Sequence, residues 1–174
     1  MKINLSLALI VLSLLSYCQP TPALVSVTFP DNKSFYANLV SDDGYILKAQ
    51  IYNSGAVYEF NKAGKIVSST GSYTKGSAVS AIGVKRYKAD LYRYNIIPRQ
   101  ETIGVGFPDG NIYYGHVEDG AEGWFAIRFL HSNSLYTMQL ESGLWKVNST
   151  DKGKYAPGTT ITKLFSLETN EPFF

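Results

Sequence analysis

The sequence predicts an all-β protein built from two tandem, internally duplicated antiparallel β-sandwich units packed together. Three observations predict it. Apolar and polar residues alternate at the period of a strand, turn-forming pairs recur at short intervals, and blocks of the first half reappear in the same order in the second.

The alternation is plainest where Phe125, Ile127 and Phe129 share one face while Trp124, Ala126 and Arg128 take the other. In the first half Leu47, Ala49 and Ile51 form the inner row, with Lys48 and Gln50 between them. Turn punctuation follows at Pro30-Asp31-Asn32, Asp42-Asp43-Gly44, Asn53-Ser54-Gly55, Lys62-Ala63-Gly64, Pro108-Asp109-Gly110, Glu118-Asp119-Gly120 and Glu141-Ser142-Gly143. Such steps supply the preset or positive φ that tight hairpins need. No stretch after residue 24 carries a helical stripe.

The repeat aligns Phe29-Pro30-Asp31-Asn32-Lys33-Ser34-Phe35-Tyr36 with Phe107-Pro108-Asp109-Gly110-Asn111-Ile112-Tyr113-Tyr114. Residues 47–50 then match 127–130, Asn53-Ser54 matches Asn133-Ser134, and 71–77 match 153–159, at a spacing of about 80 residues. The units are therefore placed at 24–98 and 99–174, with 84–99 as the join and Pro98 where a strand should stop. A β unit of about seventy residues without a disulfide is marginal alone, so the two are expected to pack on each other.

Residues 1–23 read as an export signal. Met1-Lys2 is positive, 5–15 is apolar apart from Ser6 and Ser13, and small or helix-breaking residues follow at Ser16, Cys18, Pro20, Pro22 and Ala23. Cleavage is expected after 18 or after 23. A lipid anchor at Leu15-Ser16-Tyr17-Cys18 is disfavoured by the bulk of Tyr17 before the cysteine. No later stretch is long and apolar enough for a membrane span, so a secreted, extracellular protein is expected. Cys18 is the one cysteine, which removes disulfides, zinc-thiolate sites and cysteine nucleophiles from the exported part. Its core must be apolar, and 13 Tyr, 9 Phe and 2 Trp can supply one. A net charge of +2 is far below the basic balance of nucleic-acid binders. The sequons Asn32-Lys33-Ser34 and Asn148-Ser149-Thr150 mark Asn32 and Asn148 as glycosylation acceptors in surface turns.

No enzyme, metal or cofactor motif is present in the sequence. His116 and His131 read as polar residues of strand faces, and Gly104-Val105-Gly106 lacks the helix that phosphate binding requires. Asp42-Asp43 and Glu118-Asp119 precede glycines and read as turn residues rather than calcium ligands. Lys85-Arg86-Tyr87-Lys88 with Tyr92-Arg93-Tyr94 reads as a strand face whose lysines guard an edge, with a polyanion site as the alternative.

Binding is the function that the residues favour. Sugar rings stack their C–H faces on exposed aromatics while their hydroxyls take charged or amide partners. Trp124 beside Arg128, with Asp119 and Glu122 nearby, is one candidate, and Trp145 beside Lys146 is a second. The competing reading puts both tryptophans in the core.

Each half resembles the N-terminal glucan-recognition domain of insect β-1,3-glucan recognition proteins, a carbohydrate-binding module of family 39. The resemblance rests on Val27-Thr28-Phe29-Pro30, on the strand and acidic-Gly turn from Leu39 through Asp42-Asp43-Gly44 to Leu47, on Gly143-Leu144-Trp145 and on Pro157-Gly158-Thr159-Thr160. It implies immunoglobulin-like sandwiches that bind β-glucan without catalysis in innate immunity. Asp109-Gly110-Asn111-Ile112-Tyr113-Tyr114-Gly115 is also similar to the MORN repeat, whose proteins are intracellular scaffolds. The expectation is a secreted, non-catalytic protein that recognises microbial polysaccharide. The alternative is a secreted structural or protein-interaction protein, with a secreted or cell-surface protein as partner.

Overall fold

The computed structural model describes residues 22–169 together with 173 and 174, so all but the last two residues of the expected export signal lie outside the described residues. The first half holds Ala23–Thr28 (β1), Ser34–Asp42 (β2), Ile46–Ile51 (β3), Val57–Asn61 (β4), Ile66–Ser69 (β5) and Ala81–Asp90 (β6). The second holds Thr102–Gly106 (β7), Ile112–Ala121 (β8), Trp124–Phe129 (β9), Leu135–Glu141 (β10), Leu144–Thr150 (β11) and Lys163–Thr169 (β12). The fold is all-β, and no helix occurs among the described residues.

The strands do not divide into two sandwiches. They hydrogen-bond in one twelve-stranded order, β11-β10-β9-β8-β7-β12-β6-β1-β2-β3-β4-β5. Every described pair is antiparallel. An immunoglobulin-like sandwich needs connections that pass from one sheet to another. Here turns as tight as Asp43-Gly44-Tyr45 and Glu122-Gly123 leave no length for a crossing, so successive strands become hairpins. Each half is a five-strand meander whose sixth strand returns beside its first. The stretch before that sixth strand also binds the meander's far edge. Ile66 N–H donates to Ser77 O (2.9 Å) and Val79 N–H to Gly64 O (2.7 Å), while Val147 N–H donates to Thr159 O (2.9 Å) and Ile161 N–H to Trp145 O (2.8 Å). Each half thus curls around its own buried cluster, and β5 and β11 are covered rather than left as bare edges.

The pairing register sets the correspondence between the halves. Ala37 stands opposite Ile51 and Leu39 opposite Ala49; Gly115 stands opposite Phe129 and Val117 opposite Ile127. Leu47 therefore answers Phe125, not Ile127, and the match of 47–50 to 127–130 is two residues out of step. The pairing of Asn53 with Asn133 carries the same slip. It is Gly55 (φ 68°) that occupies the left-handed position taken by Asn133 (φ 54°), each donating to the carbonyl of Ile51 or Phe129. A slip of two preserves which face every residue points to, so the alternation cannot reveal it.

Strands β6 and β12 join the halves, from Phe165 opposite Asp90 to Thr169 opposite Lys85. The basic run 85–88 lies in β6, at the centre of the order with β1 on one side and β12 on the other, not at an edge. Arg86 there pairs with Asp42 at 2.6 Å, and Lys85 Nζ donates to Thr102 Oγ1 at 2.8 Å. A third buried cluster, with Leu24, Tyr114, Phe165 and Leu167, draws on both halves. The segments after the sixth strands are exchanged. Leu91 and Ile97 enter the second core, where Leu91 N–H donates to Leu164 O (2.8 Å), and Phe173 enters the first, where its N–H donates to Ile82 O (3.0 Å).

Candidate functional site

The aromatic-Pro-Asp turn shapes one end of each half. Asn32 (φ 63°) and Gly110 (φ 82°) take the left-handed position that closes it. The aspartate accepts the N–H two residues on, Asp31 from Lys33 (3.3 Å) and Asp109 from Asn111 (3.1 Å). A tyrosine from the stretch after the fifth strand then lies flat on the turn's phenylalanine. Tyr73 stacks on Phe29 at 3.8 Å, and Tyr155 on Phe107 at 3.7 Å. Their hydroxyls donate to Asp31 (3.0 Å) and Asp109 (2.7 Å). Gly71 and Gly153 are fixed by close approach, since a Cβ on either would collide with the hydroxyl of Tyr58 or Tyr136.

This shared framework leaves a cavity in each half, about 210 Å³ in the first and about 200 Å³ in the second. The first is walled by Phe29, Phe35, Ile51, Tyr58 and Tyr73, and its polar groups are Ser54, Ser72 and the two phenols, with no charged side chain. The second has different chemistry at matching positions. Tyr113 replaces Phe35, His131 replaces Asn53, Lys154 replaces Ser72, and Lys152 is an extra residue in a turn one longer than its counterpart. Lys154 pairs with Asp109 at 2.8 Å, and this bond, with that from Tyr155, holds the Asp109 carboxyl well below the usual carboxylate range. Burial pushes the Tyr155 phenol up, reinforced by its contact with Tyr113 Oη at 3.3 Å. His131 stacks on Tyr113 at 4.5 Å; burial lowers its pKa, and its Nδ1 is buried with no protein partner. The cavity can offer aromatic walls and hydrogen-bond donors to a single ring.

The residues singled out from sequence are placed elsewhere. Trp124 is half-buried on the outer face of β9, in register with Gln139, which in turn faces Lys146. Arg128 lies on the same face and is held by Glu118 Oε1 at 2.5 Å and by Asn133 O at 3.2 Å. Asp119 pairs with Arg99 at 2.6 Å, and Glu122 is exposed in the turn between β8 and β9. Trp145 does not join them. It is 0 % exposed, edge-on to Phe125 at 5.0 Å, because its phase on β11 is that of the buried Val147. Lys146, one residue on, points outward to Glu141 at 2.9 Å. Asn32 is exposed in its turn, whereas Asn148 is exposed within β11, at a bulge opposite β10.

Sequence reasoning missed Tyr113, Lys152, Lys154 and Tyr155, and it read His131 as a plain face residue. The available signal was the set of positions where the repeated blocks differ, Phe35 against Tyr113 and Ser72 against Lys154. No protein-family model matches the chain, and neither a curated protein nor a solved structure matches it.

Proposed function

We propose that the chain is a secreted, non-catalytic binding protein whose ligand is an extracellular carbohydrate, with β-glucan-like microbial polysaccharide in an innate-immune setting as the leading class. The observation that carries this reading is the row Trp124, Gln139 and Lys146, side by side on one outer face. A half-exposed indole can stack on the C–H face of a sugar, while an amide and an ammonium meet its hydroxyls. An open outer face suits an extended chain better than a small molecule, which takes a cleft. Export with cleavage after residue 18 fits the fold, because Ala23 is already buried and paired in β1.

Retention on insoluble β-1,3-glucan, chitin and peptidoglycan tests the proposal. Retention on at least one of them, lost in Trp124→Ala with the melting temperature held within a few degrees, is the expected result. A folded protein that none of the polysaccharides retains at low salt overturns it. Tyr94 and Ile96, 57 % and 62 % exposed on the segment between the halves, favour the second reading, a secreted protein that binds another protein.

A further inference from the structure

The two end cavities form an internal comparison. Both halves keep the stacked Phe–Tyr pair, the aspartate that accepts the tyrosine hydroxyl and the glycine beneath the second tyrosine. The first half shows that this framework needs nothing more to form. The second adds a phenol at Tyr113, an imidazole at His131 and ammonium groups at Lys152 and Lys154, all lining one cavity. His131 Nδ1 is buried there with no protein partner, and such a group costs free energy unless something meets it, while the two ammonium groups stand exposed beside it; that combination calls for a ligand rather than for packing.

We propose that the cavity of the second half binds a single sugar ring that carries a carboxylate, such as a uronic acid. The site is separate from the Trp124 face: the cavity is walled by Phe129 of the inward row of β9, and Trp124 belongs to the outward row. Its chemistry selects the ligand by sign. Of the carboxylates beside it, Asp109 is already occupied by Lys154, Tyr155 and Asn111, and Asp151 accepts the Leu135 N–H at 2.9 Å. Lys152 is exposed at the mouth and makes no ion pair among the described residues. Tyr155 donates to Asp109 at 2.7 Å and contacts Tyr113 Oη at 3.3 Å, so the Tyr113 hydroxyl keeps a proton of its own that a ligand can accept. The buried His131 Nδ1 has no protein partner, so the imidazole keeps hydrogen-bonding capacity that the fold leaves unmet. Donors outnumber acceptors, which suits an anion and repels a quaternary ammonium despite the aromatic walls. A cavity of about 200 Å³ is below the usual size of a drug-like site and accommodates one ring.

The test is a backbone amide NMR titration of the protein with glucuronate and galacturonate. Glucose serves as the neutral ring, acetate as the charge without a ring, and a galacturonate trisaccharide as the polymer. Saturable shifts are expected at 131–134 and 152–155 but not at the matching first-half residues 53–56 and 71–73. Glucose and acetate should each bind at least about tenfold more weakly. Tighter binding of the trisaccharide than of the monosaccharide would assign the ring to a polymer, and equal binding to a free acid or a chain end. Tyr113→Phe restores the first half's own residue, and Lys152→Ser alters an exposed side chain, so both should fold, and each should weaken glucuronate about tenfold. Trp124→Ala should leave this titration unchanged, so failure of either site is read separately. No saturable shift, acetate as strong as glucuronate, glucose as strong as glucuronate, or full affinity in both variants overturns the proposal.

Discussion

Replacing Trp145 separates a core role from a surface role more sharply than any other change. The indole is fully buried in the second half, against Phe125, and its Nε1–H meets no protein acceptor. A tryptophan of that burial removes roughly 200–250 Å² from water, about 5–6 kcal/mol at ~25 cal/mol/Å², an upper bound since the unfolded chain hides some of that area. The unmet N–H returns about 1–3 kcal/mol of this. Trp145→Ala should therefore cost about 3–4 kcal/mol, within the range for large aromatics cut to alanine. Trp145→Phe loses only roughly 40–50 Å², about 1 kcal/mol, and also deletes the orphaned donor, so it should stay within about 1 kcal/mol of the parent. Urea unfolding followed by far-ultraviolet circular dichroism measures both without relying on the fluorophore removed, and an unchanged slope shows that the unfolded state is the same. The reasoning is refuted if Trp145→Ala costs less than about 1 kcal/mol, or if the phenylalanine variant is as unstable as the alanine one.

Phe173→Ala should destabilise the first half, whose core that ring completes beneath Lys62 Nζ at 4.1 Å. A cost of about 3–5 kcal/mol is expected for a buried phenylalanine cut to alanine, and a urea midpoint unmoved from the parent's would contradict the exchange of segments. Acid should weaken the fold before its carboxylates titrate. Burial lowers the pKa of both His131 and His116, the latter also through Lys85, so the native state binds protons less readily than the unfolded chain. Their contribution is complete above the unfolded value of about 6.5 and declines as pH falls below it, whereas Asp31, Asp43 and Asp109, all lowered, lose theirs only below about pH 4. Melting temperature should be flat from about pH 7 to 8 and lower at about pH 5.5, with a smaller fall in His116→Gln; a rise on acidification would reverse the sign argued here.

The strands and most turns were legible because alternation and Asx-Gly or Pro-Asp steps are local signals. Phase was legible too: Trp145 shares that of Val147 and Lys146 the opposite one. Which phase faces inward depends on neighbours that a single strand does not record, so Trp145 stood as a surface candidate. The placing of 85–88 at an edge failed for a related reason. The strands that enclose it, 23–28 and 163–169, are distant in sequence, and no local pattern announces them. The second cavity was hidden because it draws on three separate stretches, around 107–113, 129–136 and 152–155, which only the fold brings together.

The seam between the halves explains why two similar units pair with each other rather than each with its own kind. Register makes Leu24 of β1 the counterpart of Thr102 of β7, and Lys85 of β6 the counterpart of Leu167 of β12. Across the seam Leu24 and Leu167 share one buried cluster, while Lys85 donates to Thr102, which also meets His116 Nδ1 at 3.2 Å. One side of the pseudo-symmetric contact is therefore apolar and the other polar, and each is matched. Two copies of the first half would set Leu24 against Lys85, and two copies of the second would set Thr102 against Leu167. Each self-pairing leaves a polar group without its partner, at a cost of about 1–3 kcal/mol per site, or more where it is charged. With Leu91, Ile97 and Phe173 crossing into the opposite cores, neither core is complete from its own half's strands. The two halves should therefore unfold together in one transition rather than as two independent domains.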